Sequence, residues 1–134
     1  VETLVLEKKI NWDQLLQELK HRQITHIFLT GFMKVVPKEF LQKWNKPILN
    51  VHPSLLPNYP GLKSVERAMA DRADLGVTVH KVIADVDAGE TVAQKTVMKF
   101  EEYSRLNAEQ VEFALHLTEY ELVRKSFKVA SCWT

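Results

Sequence analysis

The chain has 134 residues, of which 46% are hydrophobic and 26% are charged. This length suffices for one hydrophobic core, so we predict a single domain over residues 1–134. The 18 basic and 17 acidic residues leave a formal net charge of +1, which argues against a polyanionic partner such as nucleic acid. No apolar run reaches the roughly 20 residues of a membrane span. The single cysteine, Cys132, fits a reducing compartment, so a cytoplasmic protein is expected.

The first half of the chain alternates predicted strands and helices. A short strand is expected at residues 3–6, and Asn11 is typical of a helix N-cap. An apolar run at residues 24–30 has the length of a strand, and proline favours a second helix from about residue 37 to residue 44. A strand at residues 48–51 then leads into a proline-rich loop.

The second half adds a strand pair and a long helix. A helix is expected near residues 64–72, and a longer amphipathic helix at about residues 104–127. Two segments rich in β-branched residues, 77–83 and 91–100, predict an antiparallel pair joined by a loop. Because strands alternate with helices, we predict an α/β fold with a mostly parallel sheet, flanking helices and an antiparallel extension.

A polar pair at the end of the strand at residues 48–51 is the most informative pattern. Asn50 and His52 alternate with an apolar residue, so strand periodicity places both side chains on one face. Pro53 and Pro57 end the strand, and open α/β sheets bind ligands at strand ends. The pair can therefore reach one small ligand. The alternative is a strand that merely ends in polar residues at a turn.

Three separated segments carry a family resemblance. They read TGFMKV at residues 30–35, NVHPSLLPNYPGL at residues 50–62, and GVTVH at residues 76–80 followed by DVDAG at residues 85–89. In this order they resemble the folate-dependent formyltransferases, and the similarity extends from about residue 4 to about residue 123. The resemblance implies a Rossmann-like formyltransferase fold and 10-formyltetrahydrofolate as formyl donor. It is strongest with members that act in purine synthesis, which implies glycinamide ribonucleotide as the acceptor.

Formyl transfer to an amine explains why an amide, an imidazole and a carboxylate belong together. The reaction passes through a tetrahedral carbon that bears an oxyanion, so the site needs hydrogen-bond donors aimed at that oxygen. Asn50 offers an amide N–H, and a protonated His52 offers a charge-assisted one. Asp87 can support the charged ring and relay the proton that the amine loses. The resemblance implies the same catalytic roles, although Asp87 alone also fits an ordinary turn.

The resemblance also implies binding residues. Those expected to contact the folate are Met33, Lys34, Val35, Val36, Asn50, Ile83, Ala84, Asp85, Val86 and Asp87. A turn of the last helix is expected to bind the acceptor through Phe113, Ala114, Leu115 and His116, where His116 replaces a glutamate of the purine enzymes. Thr78 and His80 share a strand face and are either packed polar side chains or support for the site.

Several alternatives stay open. The four glycines, at positions 31, 61, 76 and 89, do not supply the glycine-rich phosphate-binding turn of the family's purine enzymes, so we expect a partial domain without the first βα units. The acceptor could instead be an amino sugar nucleotide, or the chain could be a folate-binding or assembly module without turnover. The five histidines lack a close zinc-ligand spacing, so no metal is expected. Small-molecule substrates are expected, without nucleic acid or membrane, and a homo-oligomer is left open.

Overall fold

The computed structural model describes residues 4–130, and it contains one mixed sheet. Its strands lie in the order β1 (Ile27–Leu29), β2 (Ile48–His52), β3 (Leu75–Lys81) and β4 (Thr91–Met98). β1 and β2 are parallel, whereas β2 pairs antiparallel with β3 and β3 with β4. The α/β class is confirmed, and so is the β3–β4 pair, which spans most of residues 77–83 and 91–100.

The sheet is less parallel than predicted, because β3 runs opposite to β2. A parallel crossover requires a helix that carries the chain back along the full strand. Helix α3 (Ser64–Ala70) has 7 residues, which corresponds to roughly 10 Å, whereas a five-residue strand spans about 16 Å. The connection between β2 and β3 therefore does not carry the chain back to the N-terminal end of β2, and β3 runs in the opposite direction. Within the described residues, one strand pair is parallel and two are antiparallel.

Two predicted helices begin where the sequence indicates. α1 (Trp12–His21) follows Asn11, whose side-chain oxygen accepts a hydrogen bond from the backbone N–H of Gln14 at 3.0 Å. α2 (Lys38–Trp44) follows Pro37 directly. The expected strand at residues 3–6 is not formed at residues 4–6, which are exposed, and residue 3 lies outside the described range, as does Cys132. The strand expected from residue 24 begins only at β1, because the N–H of Ile24 bonds to the carbonyl of Leu19 at the end of α1.

The long C-terminal helix begins later than predicted, at residue 108 instead of about residue 104. α4 (Phe100–Tyr103) is a single turn, and α5 (Ala108–Ala130) follows after a short break. Asn107 and Gln110 explain the break, because the side chain of each accepts a hydrogen bond from the backbone N–H of the other, at 2.9 and 3.1 Å. This reciprocal pairing is a capping arrangement, and it fixes the start of α5.

Hydrophobic residues pack on both faces of β2, and the two polar residues of this strand lie on one of those faces. Leu49 and Val51 pack in a cluster that includes Leu115 of α5, whereas Ile48 packs with the residues of α1 and α2. Side chains alternate along a strand, so Asn50 and His52 continue the face that Ile48 begins. The fold therefore places both polar residues beyond the α1–α2 cluster, at the end of β2.

Candidate active site

The polar residues of β2 meet the loop that joins β3 to β4. Asp87 lies in this loop with a positive φ of 53°, a conformation that aspartate tolerates better than most residues. The adjacent turn is tight, because an added Cβ at Gly89 would lie 1.7 Å from the carbonyl oxygen of Lys81. Close packing of the loop against the end of β3 therefore brings Asp87 back over the sheet.

Asp87 is held between two imidazoles. Its Oδ2 lies 3.4 Å from Nδ1 of His52, and its Oδ1 lies 3.3 Å from Nε2 of His80. The side chains of Asp87 and His52 are each 8% exposed, and that of His80 is 3% exposed. The backbone N–H of Gly61 also donates to Oδ2 at 2.7 Å. The Gly61 N–H, together with a proton on Nδ1 of His52, offsets the hydration that this buried carboxylate loses.

A backbone carbonyl determines how His52 carries its protons. Nε2 of His52 lies 2.9 Å from the carbonyl oxygen of Tyr59. A carbonyl can only accept, so Nε2 carries a proton and donates it. The charged form of the ring then has its second proton on Nδ1, on the side of Asp87. The predicted contact between His52 and Asp87 is thus present. At 3.4 Å it is too long for a good hydrogen bond, so Nδ1–H is the N–H of His52 that a reacting group could use.

Asn50 contacts the second imidazole instead of the first. Its amide nitrogen lies 3.2 Å from Nε2 of His80, which is its direct partner in the β2–β3 pairing. Nδ1 of His80 lies 3.0 Å from the carbonyl oxygen of Lys81. The sequence indicated only a supporting role for His80. An antiparallel pairing of β2 with β3 would have identified this contact, but the sequence did not predict that pairing.

Thr78, the other residue considered as support for the site, forms hydrogen bonds with the backbone of the loop after β2. Its hydroxyl donates to the carbonyl of Ser54 at 2.7 Å and accepts from the N–H of Leu56 at 3.1 Å. Gln94 also donates to this hydroxyl, at 2.9 Å. Thr78 is fully buried. Its contacts therefore stabilise the start of the loop that carries the Tyr59 carbonyl and the Gly61 N–H.

That loop contributes backbone groups that sequence reasoning missed. Tyr59 and Gly61 contact His52 and Asp87 through main-chain atoms, which every residue type has, so no side-chain pattern could reveal them. The Tyr59 hydroxyl points elsewhere and donates to Asp71 at 2.9 Å. This hydrogen bond raises the pKa of Tyr59 above its ordinary value, so the phenol is neutral near neutral pH and is not a base.

A cleft of about 660 Å³ opens beside these groups. Asn50, His52, His80 and Asp87 line one wall. Of the other residues predicted to contact folate, Met33, Lys34, Val35, Val36, Ile83, Asp85 and Val86 line the cleft, whereas Ala84 does not. The Lys34 ammonium donates to the backbone carbonyl of Lys8. The cleft thus combines an apolar entrance with a polar wall, which is typical of small-molecule sites.

Residues 113–116, expected to bind the acceptor, lie within α5, which corresponds to the predicted C-terminal helix. Successive helical residues point about 100° apart, so four in a row cannot face one site. His116 lines the cleft, whereas Phe113, Ala114 and Leu115 do not, and Leu115 is buried in the core. Glu119 also lines the cleft, and its Oε2 lies 3.1 Å from Nδ1 of His116. Glu119 was not predicted, although it lies three residues after His116 in a predicted helix, a spacing that places both on one helix face.

Residues 4–130 contain no group of three or more histidine, cysteine, aspartate or glutamate side chains placed to hold a metal ion. The expectation that no metal takes part stays a prediction. Over the same range, none of the helices has both the length and the apolar character needed to cross a membrane.

Comparisons with known proteins agree with this geometry. A family model described as formyl transferase matches residues 6–125. The phosphoribosylglycinamide formyltransferase of Bacillus subtilis is 33% identical over 116 residues, which cover 85% of this chain and 58% of the relative. The Haemophilus influenzae enzyme of the same name is 42% identical over 97 residues, or 72% of this chain and 44% of the relative. The chain thus spans less than two thirds of the length of these two curated relatives.

Solved structures show the same relationship. The phosphoribosylglycinamide formyltransferase of Streptococcus pneumoniae superposes with a TM-score of 0.77 at 31% identity, over 92% of this chain and 69% of that one. The enzyme of the same name from Anaplasma phagocytophilum gives a TM-score of 0.84 at 28% identity, over 98% and 64% of the two chains. The fold predicted from the resemblance is therefore confirmed. The chain belongs to the formyl transferase family.

Proposed function

We propose that this protein transfers a formyl group from 10-formyltetrahydrofolate to the amine of glycinamide ribonucleotide, a step of de novo purine biosynthesis. The observation that carries the proposal is the convergence of Asn50, His52 and Asp87 on one wall of the cleft. Relatives named phosphoribosylglycinamide formyltransferase supply the reason for choosing this acceptor. The four described strands form one sheet, which supports assignment to one domain.

The proposed chemistry requires one exchange of bonds and one movement of a proton. The bond from the formyl carbon to N10 of the folate breaks, and a bond from that carbon to the acceptor amine forms. The amine loses a proton, and N10 gains one. Asn50 and charged His52 act as donors to the formyl oxygen while it carries negative charge. Asp87 stabilises the charged ring of His52, and through it or a water accepts and returns the moving proton.

The shape of the cleft supports binding of the folate at its apolar entrance. Met33, Val35, Ile83 and Val86 are exposed hydrophobic side chains, yet all four line the same cleft. A planar pterin packed on them would remove apolar surface from water, which is favourable. In this arrangement the reactive end of the folate faces Asn50 and His52. His116 and Glu119 lie on α5, on another part of the lining, where we propose that the acceptor amine binds.

A comparison of acceptors tests the proposed function. The protein is supplied with 10-formyltetrahydrofolate carrying a labelled formyl group and with either glycinamide ribonucleotide or an amino sugar nucleotide. We expect label to appear in the ribonucleotide, with a kcat/KM at least about 10-fold higher than for the sugar nucleotide, because a mispositioned amine loses rate steeply. Preference for the amino sugar nucleotide would overturn the assigned acceptor, and folate binding without transfer to either would support a module without turnover.

We also propose that two copies associate through α5. Phe113, Leu117, Tyr120 and Phe127 are each more than half exposed, and their spacings of four, three and seven residues place them along one stripe of the helix. The first half of α5 carries Glu109 and Glu112, whereas the last half carries Lys125 and Lys128. An antiparallel pair of these helices would match the stripes and bring opposite charges together. The proposed occupant of the stripe is therefore a second copy of this chain.

Sedimentation tests this association. We expect the unsubstituted protein to sediment as a dimer and Tyr120→Lys to sediment as a monomer, because residue 120 lies midway between 113 and 127, so the two introduced lysines would face each other in the antiparallel pair. Glu101→Lys is the control, since residue 101 is exposed and lies outside α5. A monomeric unsubstituted protein at micromolar concentration would overturn the association and leave the proposed chemistry intact.

A further inference from the structure

His80 stands between two members of the proposed catalytic set. Its Nε2 lies 3.2 Å from the amide nitrogen of Asn50 and 3.3 Å from Oδ1 of Asp87. The side chain is 3% exposed. The first of these neighbours is a hydrogen-bond donor and the second is an acceptor. One ring nitrogen cannot form a hydrogen bond with both, so the location of the proton on His80 decides which contact is made.

The other ring nitrogen narrows the choice of tautomer. Nδ1 of His80 lies 3.0 Å from the carbonyl oxygen of Lys81, so Nδ1 carries a proton and donates it. The neutral ring therefore has its lone pair on Nε2 and accepts the amide N–H of Asn50. A charged ring would carry a second proton on Nε2 and donate it to Asp87. The Asn50 amide would then have to turn its oxygen toward the ring.

The balance of charge favours the neutral form of His80. Asp87 is one carboxylate facing two imidazoles, and a second charged ring would leave an excess positive charge in a buried place. Nδ1 of His52 faces only the carboxylate, so a proton on this nitrogen is attracted by the negative charge of Asp87. Nε2 of His80 already accepts one from Asn50. The single positive charge therefore belongs on His52.

We propose that His80 is a positioning residue that fixes the amide of Asn50 as a donor to the reacting formyl group. The neutral Nδ1–H tautomer accepts one N–H of that amide and so determines which end is nitrogen. The second N–H of the same NH₂ group is then presented to the cleft that Asn50 lines. Without this contact the amide could rotate and present its carbonyl oxygen to the formyl oxygen, which would repel it. This assignment rests on the proposed formyl transfer.

Nitrogen NMR tests the tautomer without any measurement of activity. Protein labelled with ¹⁵N at histidine and asparagine gives long-range ¹H–¹⁵N spectra that distinguish N–H from lone-pair nitrogens. We expect the His80 ring to carry its proton on Nδ1 and a lone pair on Nε2. Asn50→Ala should shift the Nε2 signal of His80 toward that of a free lone pair. A proton on Nε2 of His80, or an Nε2 signal that is unaffected by Asn50→Ala, would overturn the proposal whether or not formyl transfer occurs.

Steady-state kinetics tests whether the contact between His80 and the Asn50 amide affects turnover. His80→Phe keeps a ring but removes the acceptor, whereas the carbonyl of His80→Gln can replace Nε2. We expect His80→Phe to lower kcat by about 10²-fold with little change in the folate KM, and His80→Gln to recover most of that loss. His21→Gln, at an exposed position on α1, is the control. A folded His80→Phe with normal kcat, or His80→Gln no better than His80→Phe, would contradict the role. Should both variants fail to fold, the NMR result for the unsubstituted protein decides.

Discussion

Asn50→Ala and His52→Ala are each expected to lower kcat by roughly 10²–10³-fold, because each removes one donor from the oxygen that becomes negative in the transition state. The folate KM should change much less, since the apolar entrance to the cleft is left intact. Steady-state kinetics with folate and acceptor varied separately measures both effects. His21→Ala, at an exposed position on α1, is the control for loss of an imidazole.

The two variants also separate two explanations for lost activity. If His52→Ala lost activity because the loop collapsed, its thermal unfolding would shift strongly, since Nε2 of His52 donates to the Tyr59 carbonyl. A catalytic role predicts lost turnover in a protein that still unfolds cooperatively and still binds folate. Near-normal turnover in both variants would show that the reaction takes place elsewhere.

Asp87→Asn is expected to lower kcat by at least about 10²-fold, although the substitution hardly changes the shape of the side chain. The variant removes the negative charge that faces both His52 and His80. It also places an NH₂ group against one ring or against the N–H of Gly61, because an amide has only one acceptor end. Single-turnover formyl transfer at saturating folate isolates this effect from binding.

Asp74→Asn is the matched control for Asp87→Asn, because Asp74 is an exposed aspartate outside the cleft. Calorimetry should show that Asp87→Asn still binds a folate analogue within a few-fold of the unsubstituted protein. Full activity in Asp87→Asn would remove the carboxylate from the mechanism, and the proton would then have to move through another group.

Much of the fold could be predicted because it depends on local patterns. Alternation along residues 48–52 placed Asn50 and His52 on one face, and β-branched segments identified the β3–β4 pair. The cap at Asn11 depends on residues only three positions apart. The direction of β3 relative to β2 could not be predicted from local patterns, because it depends on how far α3 and its flanking loop carry the chain. Local propensity does not contain that information.

The site could be predicted only as far as its side chains have a recognisable pattern. The contact between His52 and Asp87 followed from the family resemblance, and the structure shows it. The backbone contacts from Tyr59 and Gly61 had no sequence signal, because they come from the path of the loop after β2. The four acceptor residues were assigned as a block, because matching to a family gives their position along the last helix but not which of them face the cleft. The helix brings only His116 of that set to the cleft and adds Glu119.

A structure of a complex tests whether Asn50 and His52 act on a formyl group bound in this cleft. The protein would be crystallised with a non-reactive analogue of 10-formyltetrahydrofolate together with glycinamide ribonucleotide. We predict a formyl oxygen about 3 Å from the amide nitrogen of Asn50 and from a ring nitrogen of His52, with the acceptor amine adjacent to the formyl carbon. A folate analogue bound outside the cleft, or a formyl group directed away from Asn50 and His52, would show that these two residues are not the donors in formyl transfer.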